Sequence, residues 1–112
     1  MDQPEAKVAA AVDEQGVIIG LATAGAARGG DSPTAWELYS INVTADQQGS
    51  GLADDLIGLT AGARDTSVWV LEQNARARSF YGRHGFRPDG AGTVDEVTGA
   101  SQMRMVRRSS GR

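Results

Sequence analysis

Apolar positions along this chain switch from strand-like runs to helical spacing and back, and each switch marks an element. Residues 7–12 and 17–24 are apolar runs around Asp13-Glu14-Gln15-Gly16, a polar loop ending in glycine. Two such runs predict an antiparallel hairpin. A glycine-rich, polar connection over 25–33 leads to residues 36–43, where aromatic and β-branched side chains predict a third strand. Residues 44–50 read as loop. From Gly51 the apolar positions become Leu52, Leu56, Leu59 and Ala63, with Asp54 and Asp55 in a first turn where the macrodipole favours acids. That spacing predicts an amphipathic helix over 51–63, against the local preference of Gly58 and Gly62. Residues 66–71 form a short fourth strand around Val68-Trp69-Val70, and 74–84 a second helix stopped by Gly85. Phe86-Arg87-Pro88 reads as a brief strand, 89–99 as a glycine-rich hairpin region, 102–106 as a last strand, and the chain from Arg107 as a frayed tail.

The order strand, strand, strand, helix, strand, helix, strand, strand predicts an α/β fold with a mixed, mostly antiparallel sheet. The strand–helix–strand unit over 36–71 should place its two strands side by side and parallel, by a right-handed crossover. At 112 residues the chain reads as one domain, with its core over about 5–106 and a tail over 107–112.

Composition removes several function classes. A charged fraction of 22% and a net charge of −3 argue against bulk attraction to nucleic acid or to an anionic membrane. The absence of cysteine excludes disulfides, thiolate metal sites and a cysteine nucleophile, and the single His84 leaves no histidine metal cluster. The longest apolar run, over 17–22, falls far short of the roughly 20 residues of a membrane helix. The acidic start, Met1-Asp2-Gln3-Pro4-Glu5, lacks the layout of a signal peptide, so a cytoplasmic protein is expected. Basic charge is almost all arginine, with Lys7 the only lysine, which suits a GC-rich bacterial genome.

The chemistry concentrates at Gln48-Gly49-Ser50-Gly51-Leu52-Ala53, where two glycines separate a strand pattern from a helix pattern. Amides at a helix N-terminus have no intrahelical partner and carry the positive end of the dipole, so such a turn can cradle a phosphate. A dinucleotide fingerprint would need a third glycine where Asp54 stands, and a P-loop would need lysine where Leu52 stands. Read as Gln48-x-x-Gly51-x-Ala53, the turn resembles the pyrophosphate-binding motif of the GNAT N-acetyltransferases, which move acetyl groups from acetyl-CoA to amines. A second stretch resembles the same family: Asn74, Ala77, Phe80-Tyr81 and Gly85-Phe86 match its pattern at its spacing.

The resemblance implies an acyl-CoA N-acyltransferase fold, acetyl-CoA as co-substrate with no metal, and a primary amine as acceptor. It implies that Gln48 to Ala53 hold the pyrophosphate and that Ile41, Asn42 and Val43, on a strand splayed from its neighbour, hold the pantetheine arm in sheet-like fashion. Asn74 would contact the cofactor arm, and Tyr81 would protonate the departing thiolate. A phenol suits that task because it remains protonated at neutral pH. Glu37 sits where many family members carry a glutamate that deprotonates the amine. Six residues separate it from Val43, about 20 Å of strand. A solvated or substrate-orienting carboxylate is therefore the stronger expectation for Glu37. Helical spacing puts Asn74, Arg78 and Tyr81 on one face, which makes Arg78 the arginine expected on a CoA phosphate. His84 suits a C-terminal helix cap, and Arg104, Arg107, Arg108 and Arg112 a solvated basic edge.

The strand and two helices with which the family usually opens have no counterpart here, so the donor half is legible and the acceptor wall is not. An exposed edge in their place favours a homodimer. The expected activity is direct acetyl transfer to an amine; the alternative is a noncatalytic acyl-CoA sensor or protein-interaction module on the same fold.

Overall fold

The computed structural model of the chain describes residues 6–28 and 30–108. Its elements are β1 (Lys7–Val12), β2 (Ile18–Ala26), β3 (Trp36–Val43), α1 (Leu52–Thr60), β4 (Thr66–Leu71), α2 (Ala75–Arg83), β5 (Arg87–Val94) and β6 (Ser101–Arg107). The strands form one sheet in the order β1-β2-β3-β4-β6-β5. Every neighbouring pair is antiparallel except β3–β4, which is parallel with α1 as its crossover. The mixed, mostly antiparallel α/β architecture is thus the one the pattern predicts.

Local chemistry sets the turns. Asp13 Oδ1 accepts the amides of Gln15 and Val17, both at 2.9 Å, and Gly16 at φ +83° closes the β1–β2 hairpin. The predicted helix over 51–63 ends earlier, at Thr60. Gly62 adopts φ +61° and donates its amide to the Ile57 carbonyl at 3.1 Å, a left-handed stop that no other residue type adopts so readily. Leu59, expected on the packed face, is 67% exposed; the buried face is Leu56, Ile57, Thr60 and Ala61. One glycine on β2 makes this packing possible, because a Cβ at Gly20 would come within 2.9 Å of the Leu56 side chain.

Both helices feed one core. Ile57 and Ala61 from α1, and Ala77, Phe80 and Tyr81 from α2, pack with Leu38, Val68, Val70, Phe86 and Met105. The other corrections lie toward the C-terminus. β5 is a full strand rather than three residues, and it runs into the glycine-rich hairpin region expected over 89–99, with a bulge between Pro88 and Gly92. Arg107 is not frayed: it belongs to β6, and its guanidinium donates to the Gly62 and Arg64 carbonyls. Arg112 lies outside the described residues.

The parallel pair is short. β3 and β4 are in register only at Trp36↔Thr66 and Glu37↔Ser67, after which they part. On its other side, β3 skips from Leu38 opposite Ala24 to Ser40 opposite Thr23, so Tyr39 is an extra residue. Such a bulge bends its strand, and here it falls where the strands diverge.

Candidate active site

Beyond that divergence a cavity of about 930 Å³ opens between β3, β4, α2 and the loop before α1. Ile41, Asn42 and Val43 line one wall, and Trp69 to Leu71 of β4 the other. Thr44 donates its amide to the Ile19 carbonyl at 3.0 Å, which fixes the ladder phase. By alternation Asn42 and Ser40 also point their backbone groups at β2, and those of Ile41 and Val43 face the space β4 has left. A guest with amide groups can pair there as another strand would.

The loop at the top of the cavity is built to leave donors free. Ser50 Oγ donates to the Gln47 carbonyl at 2.6 Å and receives the Leu52 amide at 3.3 Å. Gly49 and Gly51 take φ of +83° and +93°, a region closed to most side chains. Gly51 is the N-cap of α1 and supplies no side-chain cap. Among the described residues, the N–H groups of Gly49, Gly51, Ala53 and Asp54 therefore have no partner. α2 is different: its N-cap Asn74 accepts the Ala77 amide at 3.0 Å through Oδ1. Asn74 lines the cavity, with its side-chain NH₂ still free to donate.

Tyr81 lines the same cavity from α2. Its ring is held edge-on between Phe80 and Phe86, with centroids 5.2 and 5.5 Å away. Burial pushes the phenol above its ordinary value near 10. The hydroxyl has no protein partner among the described residues, so a protonated donor faces the cavity across the neutral range. The fold favours the neutral phenol; stability from this group is full below about pH 10 and declines as pH rises from there through the raised value.

His84 is the C-cap residue of α2, yet its side chain pairs with α1: Nδ1 lies 2.7 Å from Asp54 Oδ1, joining the two helices beside the cavity. Arg78 does not line the cavity, and its buried Nε has no hydrogen-bond partner. Arg76 and Arg83 line it instead, and Arg76 donates to Gln48 Oε1. Helical spacing alone missed this exchange because the loop partner that draws in Arg76 is 28 residues away in sequence.

Glu37 is placed apart from the cavity. It is 2% exposed, against the expectation of a solvated or substrate-orienting carboxylate, and both oxygens are taken. Oε1 accepts the Arg28 amide at 2.9 Å and Oε2 the Arg28 guanidinium at 2.7 Å. The connection before β3 folds back, with the Ala27 amide on the Ala35 carbonyl, and this brings Arg28 over the carboxylate.

Residues 4–88 match the family model of an acetyltransferase (GNAT) domain. The chain belongs to the GNAT family. Solved structures agree on the fold. A protein assigned to this family from Desulfovibrio desulfuricans superposes with a TM-score of 0.71 at 23% identity, covering 94% of this chain and 70% of its own. Nourseothricin acetyltransferase gives 0.71 at 19% identity, with 95% and 66% covered. Arabidopsis thaliana NAA60, in complex with a bisubstrate analogue, gives 0.71 at 18% identity, with 93% and 76% covered. The chain thus spans about two-thirds to three-quarters of these structures. Comparison with curated protein sequences returned no match. As a GNAT domain, the chain carries its glycine turn, its splayed strand pair and its α2 tyrosine around a single cavity.

Proposed function

We propose that this GNAT domain is an N-acetyltransferase that moves an acetyl group from acetyl-CoA to a primary amine by direct attack. One observation carries the reading: a single cavity is lined by backbone amides, by a phenol and by strand edge that have no protein partner among the described residues. The residues fit the donor. The amides of Gly49, Gly51, Ala53 and Asp54 would hold its diphosphate, the backbone of Ile41 and Val43 its two amides, and the Asn74 side chain its arm. Acetyl-CoA supplies the activated thioester: the amine nitrogen bonds to the acetyl carbon, the carbon–sulfur bond breaks, and the amine loses a proton as the sulfur gains one.

Tyr81 donates that proton to the sulfur and recovers one from solvent. Its burial helps, since a desolvated phenol stays protonated until charge develops beside it. Without cysteine in the chain, no cysteinyl acyl-enzyme can intervene. Glu37 acts as an anchor at the foot of β3, since neither of its oxygens is free and it stands off the cavity.

The test is calorimetric titration with acetyl-CoA followed by thiol release over a panel of small amines, peptide N-termini and lysine peptides. Donor binding with amine-dependent thiol release is expected. Binding without turnover on any amine would favour a noncatalytic acyl-CoA-binding module on the same fold, and absence of binding would overturn both.

A further inference from the structure

We infer that Arg76 is the side chain that selects a diphosphate-bearing thioester, held in reserve by Gln48 until the donor arrives. This rests on the donor reading above. Arg76 is the second residue of α2, exposed, and lines the cavity. Its Nη2 donates to Oε1 of Gln48, which belongs to the loop carrying the unpartnered amides of Gly49, Gly51, Ala53 and Asp54. The guanidinium is therefore tied to a side chain of the loop that carries those amides.

The exchange of partners favours the guest. Gln48 offers a neutral amide oxygen, whereas a diphosphate offers charged oxygens in a geometry the guanidinium fork matches, and such charge-assisted bonds are about twice as strong. Leaving Gln48 costs little because the contact is exposed. Charge around the cavity points the same way. Its lining contains one carboxylate, Asp54, which is already paired with His84 at 2.7 Å, so the cations of Arg76 and Arg83 set its sign. Backbone amides supply directional bonds to a phosphate but no net charge; Arg76, lining the same cavity and bonded to the same loop, supplies the charge. Among the described residues, Arg83 makes no side-chain bond to that loop.

Calorimetry on the full chain with acetyl-CoA and with S-acetyl-dephospho-CoA tests this, since the second keeps the diphosphate and lacks the 3′-phosphate. Arg76→Gln should weaken both donors by about tenfold and to the same degree. Arg76→Lys should recover part of the loss by restoring charge without the fork, and Lys7→Gln, a charge change on β1, should leave both affinities unchanged. Raising salt should narrow the gap between wild type and Arg76→Gln. Equal affinity of Arg76→Gln and wild type would overturn the inference, as would a loss confined to acetyl-CoA, which would put Arg76 on the 3′-phosphate. Wild-type chain that binds neither donor would overturn the donor reading with it.

Discussion

The β3–β4 pair has a closed foot and an open top, and the two regions treat polar groups in opposite ways. At the foot four buried or half-buried polar side chains have protein partners. The Trp36 indole donates to the Thr60 carbonyl at 3.0 Å, Thr34 Oγ1 to the Trp36 carbonyl at 2.7 Å, Thr66 Oγ1 to the Arg64 carbonyl at 2.8 Å, and Glu37 is held by Arg28. At the top, four loop amides, two strand residues and the Tyr81 hydroxyl line a cavity and have no protein partners among the described residues. Unmade hydrogen bonds cost stability when buried dry, so a fold keeps them where a guest or solvent can complete them. The foot holds the two strands together; the top leaves a cavity between them.

The largest expected effect that would break this contrast is at the foot. Trp36→Ala removes the side chain joining β3 to the end of α1, and should destabilise the chain by about 3–5 kcal/mol in urea unfolding. Arg28→Ala comes next. It leaves a carboxylate that is 2% exposed with only the backbone amide of residue 28, while the lost guanidinium is 66% exposed and already well solvated, so a cost of about 2 kcal/mol is expected. Donor affinity measured on the folded fraction should not change; a change of tenfold or more would show that the foot and the top are one site.

The smallest effect sharpens the contrast. Gly51→Ala and Gly16→Ala each force alanine into positive φ and should each cost about 1 kcal/mol. Only Gly51→Ala, at the cradle, should also weaken acetyl-CoA, which calorimetry on both variants would read.

Much of this division was legible in the residues. The bounds of β1, β3 and β4 followed from apolar runs and the turn signals that end them, both of which are local in sequence. Motif spacing singles out the glycine turn and Tyr81, and both line the cavity. Three features depended on distant partners. Leu59 has helical spacing but faces solvent, since which α1 stripe is buried depends on Gly20 in β2. The Tyr39 bulge leaves no sequence mark, being an offset between β2 and β3 rather than a property of either. Glu37 and the arginine of α2 depend on partners too: Glu37 is enclosed by Arg28, and Arg76, held by Gln48, lines the cavity where Arg78 was expected.

The contrast predicts that an unpartnered cavity phenol carries chemistry and a fully partnered foot carboxylate does not. Thiol release at saturating acetyl-CoA and amine, compared for wild type, Tyr81→Phe and Glu37→Gln on protein checked for folding, measures that directly. Tyr81→Phe should lower turnover about 100-fold or more with donor affinity preserved, and Glu37→Gln should change stability far more than turnover. Full turnover in Tyr81→Phe with collapse in folded Glu37→Gln would contradict it.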